Sequence, residues 1–171
     1  MHYAPAAGHA ADFRADDDDL AAALADNMPR LFAIAVAILR DEAEAEDVVQ
    51  ETLTAAWKSW DRIRDQAARP HWLTRICVRQ SIRARRRLMR LPLLGLDEHR
   101  VSVPTATARD VDLDRLYRSL SKRQRAVLTL HYHHGYSLDD CASLIGCRPG
   151  TVRSHLARAL ATLRREITDG D

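Results

Sequence analysis

The chain has 171 residues, 46% of them apolar and 29% charged, with a net charge of +2 and six glycines. That balance excludes a fibre, a disordered polymer and a membrane-embedded bundle, and it leaves room for one domain or two small ones. The cysteines are Cys77, Cys141 and Cys147, an odd number set within or beside helical patterns, so reduced thiols are expected rather than a disulfide framework.

Residues 1–19 are rich in Ala and Asp, with His2, Gly8, His9 and four aspartates at Asp16–Asp19, and show no periodic apolar face. They are expected to be a disordered N-terminal segment. From Leu20 the apolar positions Leu24, Met28, Leu31, Ala35, Ile38 and Leu39 follow helical spacing, with Pro29 expected to kink the pattern or begin a second helix, and Arg40 closing it. The longest apolar run, Leu31–Leu39, has nine residues. A span needs about 20, and the N-terminus lacks the layout of a signal peptide, so no membrane insertion and a cytoplasmic location are expected.

Asp41, with Glu44 three residues on, can cap the next helix. Its apolar stripe reads Val49, Leu53, Ala56, Trp57 and Trp60, which leaves Asp47, Gln50, Glu51 and Thr54 on the outer side. The pattern turns polar from Asp61 to Arg69, and Pro70 opens a helix expected to run to about Arg87. Leu73, Ile76 and Cys77 start its apolar face, while Trp72, Arg75, Arg79 and Arg83 set an aromatic among cations. Such a set suits exposed bases and a phosphate backbone; Trp72 equally fits a core position. Residues 91–112, holding Pro92, Gly95, Ser102 and Pro104, sustain no period and read as a flexible linker.

A second helical unit begins with Leu113, Leu116, Tyr117 and Leu120. Ser121 and Gln124 form a capping box for a helix bearing Val127, Leu128 and Leu130, which Gly135 can end. Ser137 then starts a short helix through Leu138, Cys141, Ala142 and Ile145, stopped by Gly146, and Pro149 fits the first position of a longer one. The longer helix carries Val152, Leu156, Ala159, Leu160, Leu163 and Ile167 on one face and Thr151, Arg153, Ser154, His155, Arg158 and Arg164 on the other. No acidic residue lies between Arg148 and Arg165. Two helices, a short glycine-containing turn and a cationic, hydrogen-bonding second helix make a helix-turn-helix.

The expected fold is therefore all-α: two small helical domains, residues 20–90 and 113–168, joined by a flexible linker, the second containing the helix-turn-helix. Charges are sorted along it. Asp41–Glu51 holds six carboxylates and no cation, whereas Arg75–Arg90 holds seven arginines and no acid. Oppositely charged surfaces imply two kinds of partner, one protein and one nucleic acid.

In this order the segments AEDVVQETLTAAW (45–57), HWLTRICVRQSIRARRR (71–87) and LSKRQRAVLTLHYHHGYSLDDCASLIGCRPGTVRSHLARALATLR (120–164) resemble the bacterial sigma factors of the extracytoplasmic-function class. The resemblance implies that core RNA polymerase docks on Asp47, Gln50, Glu51, Thr54 and Trp57. It places Trp60, Asp61, Arg62, Trp72, Arg75, Arg79 and Arg83 on the −10 element of promoter DNA, and Arg148, Thr151, Arg153, Ser154, His155 and Arg158 on the −35 element. An anti-sigma factor is implied as a further partner. Many family members have Asn and Asp where this chain has Arg79 and Arg83.

Two other classes compete. A helix-turn-helix regulator that is not a polymerase subunit would carry a strand-bearing receiver or ligand domain, which residues 20–90 do not offer. A metal site would draw on His131, His133, His134, Cys141 and Cys147, whose spacing matches no compact ligand set. Neither metal nor cofactor is expected, and no nucleophile, base and oxyanion arrangement points to catalysis.

Overall fold

The computed structural model describes residues 9–60, 63, 65–84 and 115–168, with side chains from Leu20 onward. Among these residues there is no strand, and the fold is all-α with two helical groups. The first holds α1 (His9–Leu39), α2 (Glu42–Trp57), a 3-10 turn at Gln66–Ala68 and α3 (Arg69–Arg83). After a helical turn at 115–118, the second holds α4 (Lys122–Leu128), which widens into a π-helical turn at Thr129–His133, then α5 (Leu138–Ile145) and α6 (Pro149–Thr168).

Helix α1 corrects two expectations. It begins at His9, so the backbone of residues 9–19 is helical where disorder was expected, and it continues through Pro29, so no second helix begins there. Propagation explains the first: once the buried turns around Leu31 to Leu39 nucleate the helix, each added residue gains a hydrogen bond at little further cost. Pro29 lies on the exposed side, where losing one N–H bond leaves the buried face intact. The turn to α2 is made by Arg40, which takes the left-handed conformation (φ 63°) and donates its N–H to Val36 O at 2.8 Å. Asp41 then caps α2, its Oδ1 accepting the Glu44 N–H at 2.8 Å. Helix α1 is long and apolar enough over Leu20–Leu39 to cross a membrane by length and composition, although its longest uninterrupted apolar run has only nine residues. Here Leu20, Leu31, Ile34, Ala35, Ile38 and Leu39 are instead buried against other helices.

Helix α3 ends at Arg83, four residues short of the expected Arg87, because Ala84 turns to an extended ψ of 127°. In the second group the Ser121–Gln124 capping box is fully formed. Ser137 caps α5, and Gly146 stops it in the left-handed region (φ 80°, ψ 47°). Residues 146–148 make the turn, and Pro149 opens α6.

The two groups are packed together. Leu31, Ala35, Leu39, Val49, Ala56, Trp60, Leu73 and Cys77 form a core within the first group. A second core crosses between the groups, joining Ile34, Ile38 and Val78 to Val127, Leu130, Cys141, Leu144 and Val152. Units of this size bury little apolar surface alone, and the shared core supplies more. The expected disorder of residues 1–8, the linker at 91–112 and the expected helical run 85–87 fall outside the described residues.

Candidate functional site

Helix α2 buries Ala45, Val48, Val49, Thr52 and Ala56, so its opposite side faces solvent. Gln50, Glu51, Thr54 and Trp57 are exposed there and Asp47 is half-buried. Trp57 is 58% exposed, which corrects its placement in the apolar stripe. Since 57 lies one residue past the buried Ala56, a rotation of about 100° carries it out of the core. Large aromatic rings exposed on a surface are enriched at protein–protein interfaces.

The candidate −10 residues separate. Trp60 is 3% exposed and lies in the first core, with the Arg69 guanidinium 4.3 Å from its ring centroid. Its burial removes it from the group of bases-facing residues expected from sequence. Asp61 and Arg62 lie outside the described residues. Trp72 is partly buried and packs on the first core, favouring its core reading, while Arg75 is half-buried and Arg83 exposed. Arg79 is committed elsewhere: its Nη2 donates to Ser143 O at 2.9 Å and its Nε to Leu144 O at 3.2 Å, both at the end of α5.

The helix-turn-helix residues are presented together. Arg148, Thr151, Arg153, Ser154 and Arg158 are exposed, and His155 is half-buried. Val152 and Ala159 seat α6 from behind, whereas Ile167, expected in the same stripe, is 56% exposed because α6 outruns the helices beneath it. Arg153 approaches Asp139 at 3.9 Å, an exposed pair that leaves its guanidinium available. Burial, then Arg123 and Arg158, lower the His155 pKa, which favours the neutral imidazole with its one donor and one acceptor.

Cysteine chemistry is suppressed. Burial pushes the Cys77 thiol up to about 12 and the Cys141 thiol to about 11, and Cys77 lies 3.5 Å from Leu31 O. Among the described residues no three His, Cys, Asp or Glu side chains converge to hold a metal.

Sequence reasoning missed the cations that join the two groups: Arg30, Lys122 and Arg125. Arg30 hydrogen-bonds the Tyr136 hydroxyl, Arg125 Nε donates to Ile38 O at 2.7 Å, and Lys122 Nζ donates to Ala84 O at 2.6 Å. Their acceptors are 38 to 106 positions away, beyond the reach of any local pattern.

Two family models match in order: sigma-70 region 2 over residues 24–91 and sigma-70 region 4 over residues 110–163. The chain is 35% identical to the ECF RNA polymerase sigma factor SigL of Mycobacterium tuberculosis, covering 96% of this chain and 93% of that one. It is 30% identical to the RNA polymerase sigma-E factor of Streptomyces avermitilis, covering 78% and 76%. Among solved structures it resembles the sigma factor RpoE of Bartonella quintana, in complex with the anti-sigma factor NepR, with a TM-score of 0.65, 26% identity and coverage of 88% and 97%. The fold also matches CnrH in complex with the cytosolic domain of CnrY, with a TM-score of 0.61, 22% identity and coverage of 91% and 90%.

Proposed function

The chain belongs to the extracytoplasmic-function class of RNA polymerase sigma factors, in the sigma-70 family, and on that premise we propose which surfaces carry each step of promoter recognition. As a sigma factor it binds core RNA polymerase and directs initiation at promoters. Polymerase docks on Asp47, Gln50, Glu51, Thr54 and Trp57, where carboxylates around an exposed ring complement a basic surface. Helix α3, through Arg75, Arg79 and Arg83, lies along the −10 element, with Trp72 and Trp60 supporting it from the core rather than stacking on bases. Arg148, Thr151, Arg153, Ser154, His155 and Arg158 meet the −35 element, with α6 in the major groove.

The observation that carries this reading is the pairing, in one chain, of an acidic, ring-bearing α2 face with a helix-turn-helix whose second helix is free of acidic residues up to Arg165. Work on cytoplasmic polymerase and DNA places the protein in the cytoplasm. Its role is binding rather than catalysis, and an anti-sigma factor controls it, as the Bartonella neighbour is bound by NepR. Run-off transcription with purified core polymerase on genomic DNA tests the proposal: promoter-specific transcripts are expected only when the protein is added, and their absence would overturn it.

A further inference from the structure

Helix C-termini leave backbone carbonyls without helical partners and carry partial negative charge. Three such ends lie at the junction between the two helical groups, and each receives a cation from the opposite group. Arg125 of α4, 8% exposed, donates to Ile38 O in the last turn of α1. Lys122 of α4 donates to Ala84 O at the end of α3, with Glu44 3.8 Å from its ammonium. In the reverse direction, Arg79 of α3 donates to Ser143 O and Leu144 O at the end of α5. Gly146 lets Arg79 come this close, since a Cβ there would stand 3.2 Å from the guanidinium. The contacts ring the shared apolar core around Ile34, Ile38, Val78, Leu130 and Leu144.

We propose that this reciprocal capping by Arg79, Lys122 and Arg125 is an intramolecular latch that holds the free chain closed, and that −10 DNA and closure compete for α3. This rests on α3 being the −10 helix. A guanidinium held on two carbonyls cannot also serve a phosphate or a base edge, and α5 occupies the face of α3 from which Arg79 projects. The latch is selective: Arg148, Thr151, Arg153 and Arg158 remain exposed, as do Gln50, Glu51 and Trp57. The closed chain therefore keeps its −35 surface and its polymerase-docking surface available while withholding Arg79 and the face of α3 around it, so that docking precedes opening.

Lys122→Gln and Arg125→Gln test this, because neither residue is placed on DNA or polymerase. Small-angle scattering of the full chain measures closure, and fluorescence anisotropy measures binding of a single-stranded −10 oligonucleotide and a −35 duplex, both taken from the mapped promoter. Each variant is expected to raise the radius of gyration and to strengthen −10 binding roughly tenfold, the scale of one charged hydrogen bond, with −35 binding unchanged. Lys122→Arg should restore wild-type values. If Arg125→Gln unfolds, Lys122→Gln still decides. Equal −10 affinity and equal dimensions in wild type and Lys122→Gln would overturn the latch. Failure of the sigma reading is recognised separately, by absence of promoter-directed transcripts from the wild type with core polymerase.

Discussion

Helices α3 and α6 are both amphipathic, both free of acidic residues through most of their length, and both studded with arginine at helical spacing. Their arginines have different fates. On α6, Arg153 and Arg158 stand in solvent because Val152 and Ala159 seat the helix from one side only. On α3, Leu73 and Cys77 lie in the first core and Val78 in the shared one, so α3 is covered on two sides and Arg79 is drawn to the carbonyls of α5. A row of arginines at helical spacing thus stays in solvent only where no helix end lies within its reach.

The sharpest way to break the comparison is to remove α5 as the support both helices share. Leu144 is fully buried in the shared core, and Leu144→Asp is expected to cost more than about 4 kcal/mol, unfolding the helix-turn-helix and releasing α3. A thermal melt and loss of −35 duplex binding would report it; a wild-type melt would mean α5 is not the common support.

Next comes the acidic α2 face, which lies outside the comparison and serves as its control. Asp47→Lys combined with Glu51→Lys should weaken association with core polymerase by about 3 kcal/mol or more through like-charge repulsion, with −35 binding unchanged. Pull-down of polymerase at the wild-type level would contradict this.

A smaller effect separates direct reading from phosphate contact on α6. Arg153→Ala should cost about 1–3 kcal/mol on a preferred −35 sequence and little on a scrambled one. Competition binding with both duplexes checks it, and uniform loss would place Arg153 on the backbone.

The smallest is a pH effect. His134, through burial and then Arg30 and His133, has a lowered pKa, as does His155. The unfolded chain, with histidine near its ordinary value of about 6.5, binds protons more readily than the folded one in the window just below that value. Stability contributed by these neutral imidazoles is present above about pH 6.5 and is lost as pH falls through the depressed native values. Denaturant titrations at stepped pH should show this decline, and His134→Asn should flatten it.

Much of the local structure was legible in the residues. Asp41, Ser121 and Ser137 announce helix starts because their side-chain oxygens satisfy backbone donors three positions on, and Gly146 announces a stop because it takes a positive φ at little cost. The exposed face of α6 follows from the spacing of Val152 and Ala159. The misses have equally physical origins. Trp60 carries no local sign of whether its ring stacks on bases or fills the core; only Arg69 and the helices around it decide. The helical extension to His9 depends on cooperativity that a composition rich in Asp and Ala does not display.

By itself the sequence determined an all-α chain, the caps and turn of the helix-turn-helix, the segregation of acidic and basic segments, and the family, since these depend on interactions spanning three or four residues or on matched motifs in order. Only the tertiary structure decided that the two helical groups share a core and that Arg79, Lys122 and Arg125 face helix ends rather than solvent. Those contacts join residues 38 to 87 positions apart, and their free energy depends on which helix-end carbonyl lies within about 3 Å, a quantity that no periodicity along the chain encodes.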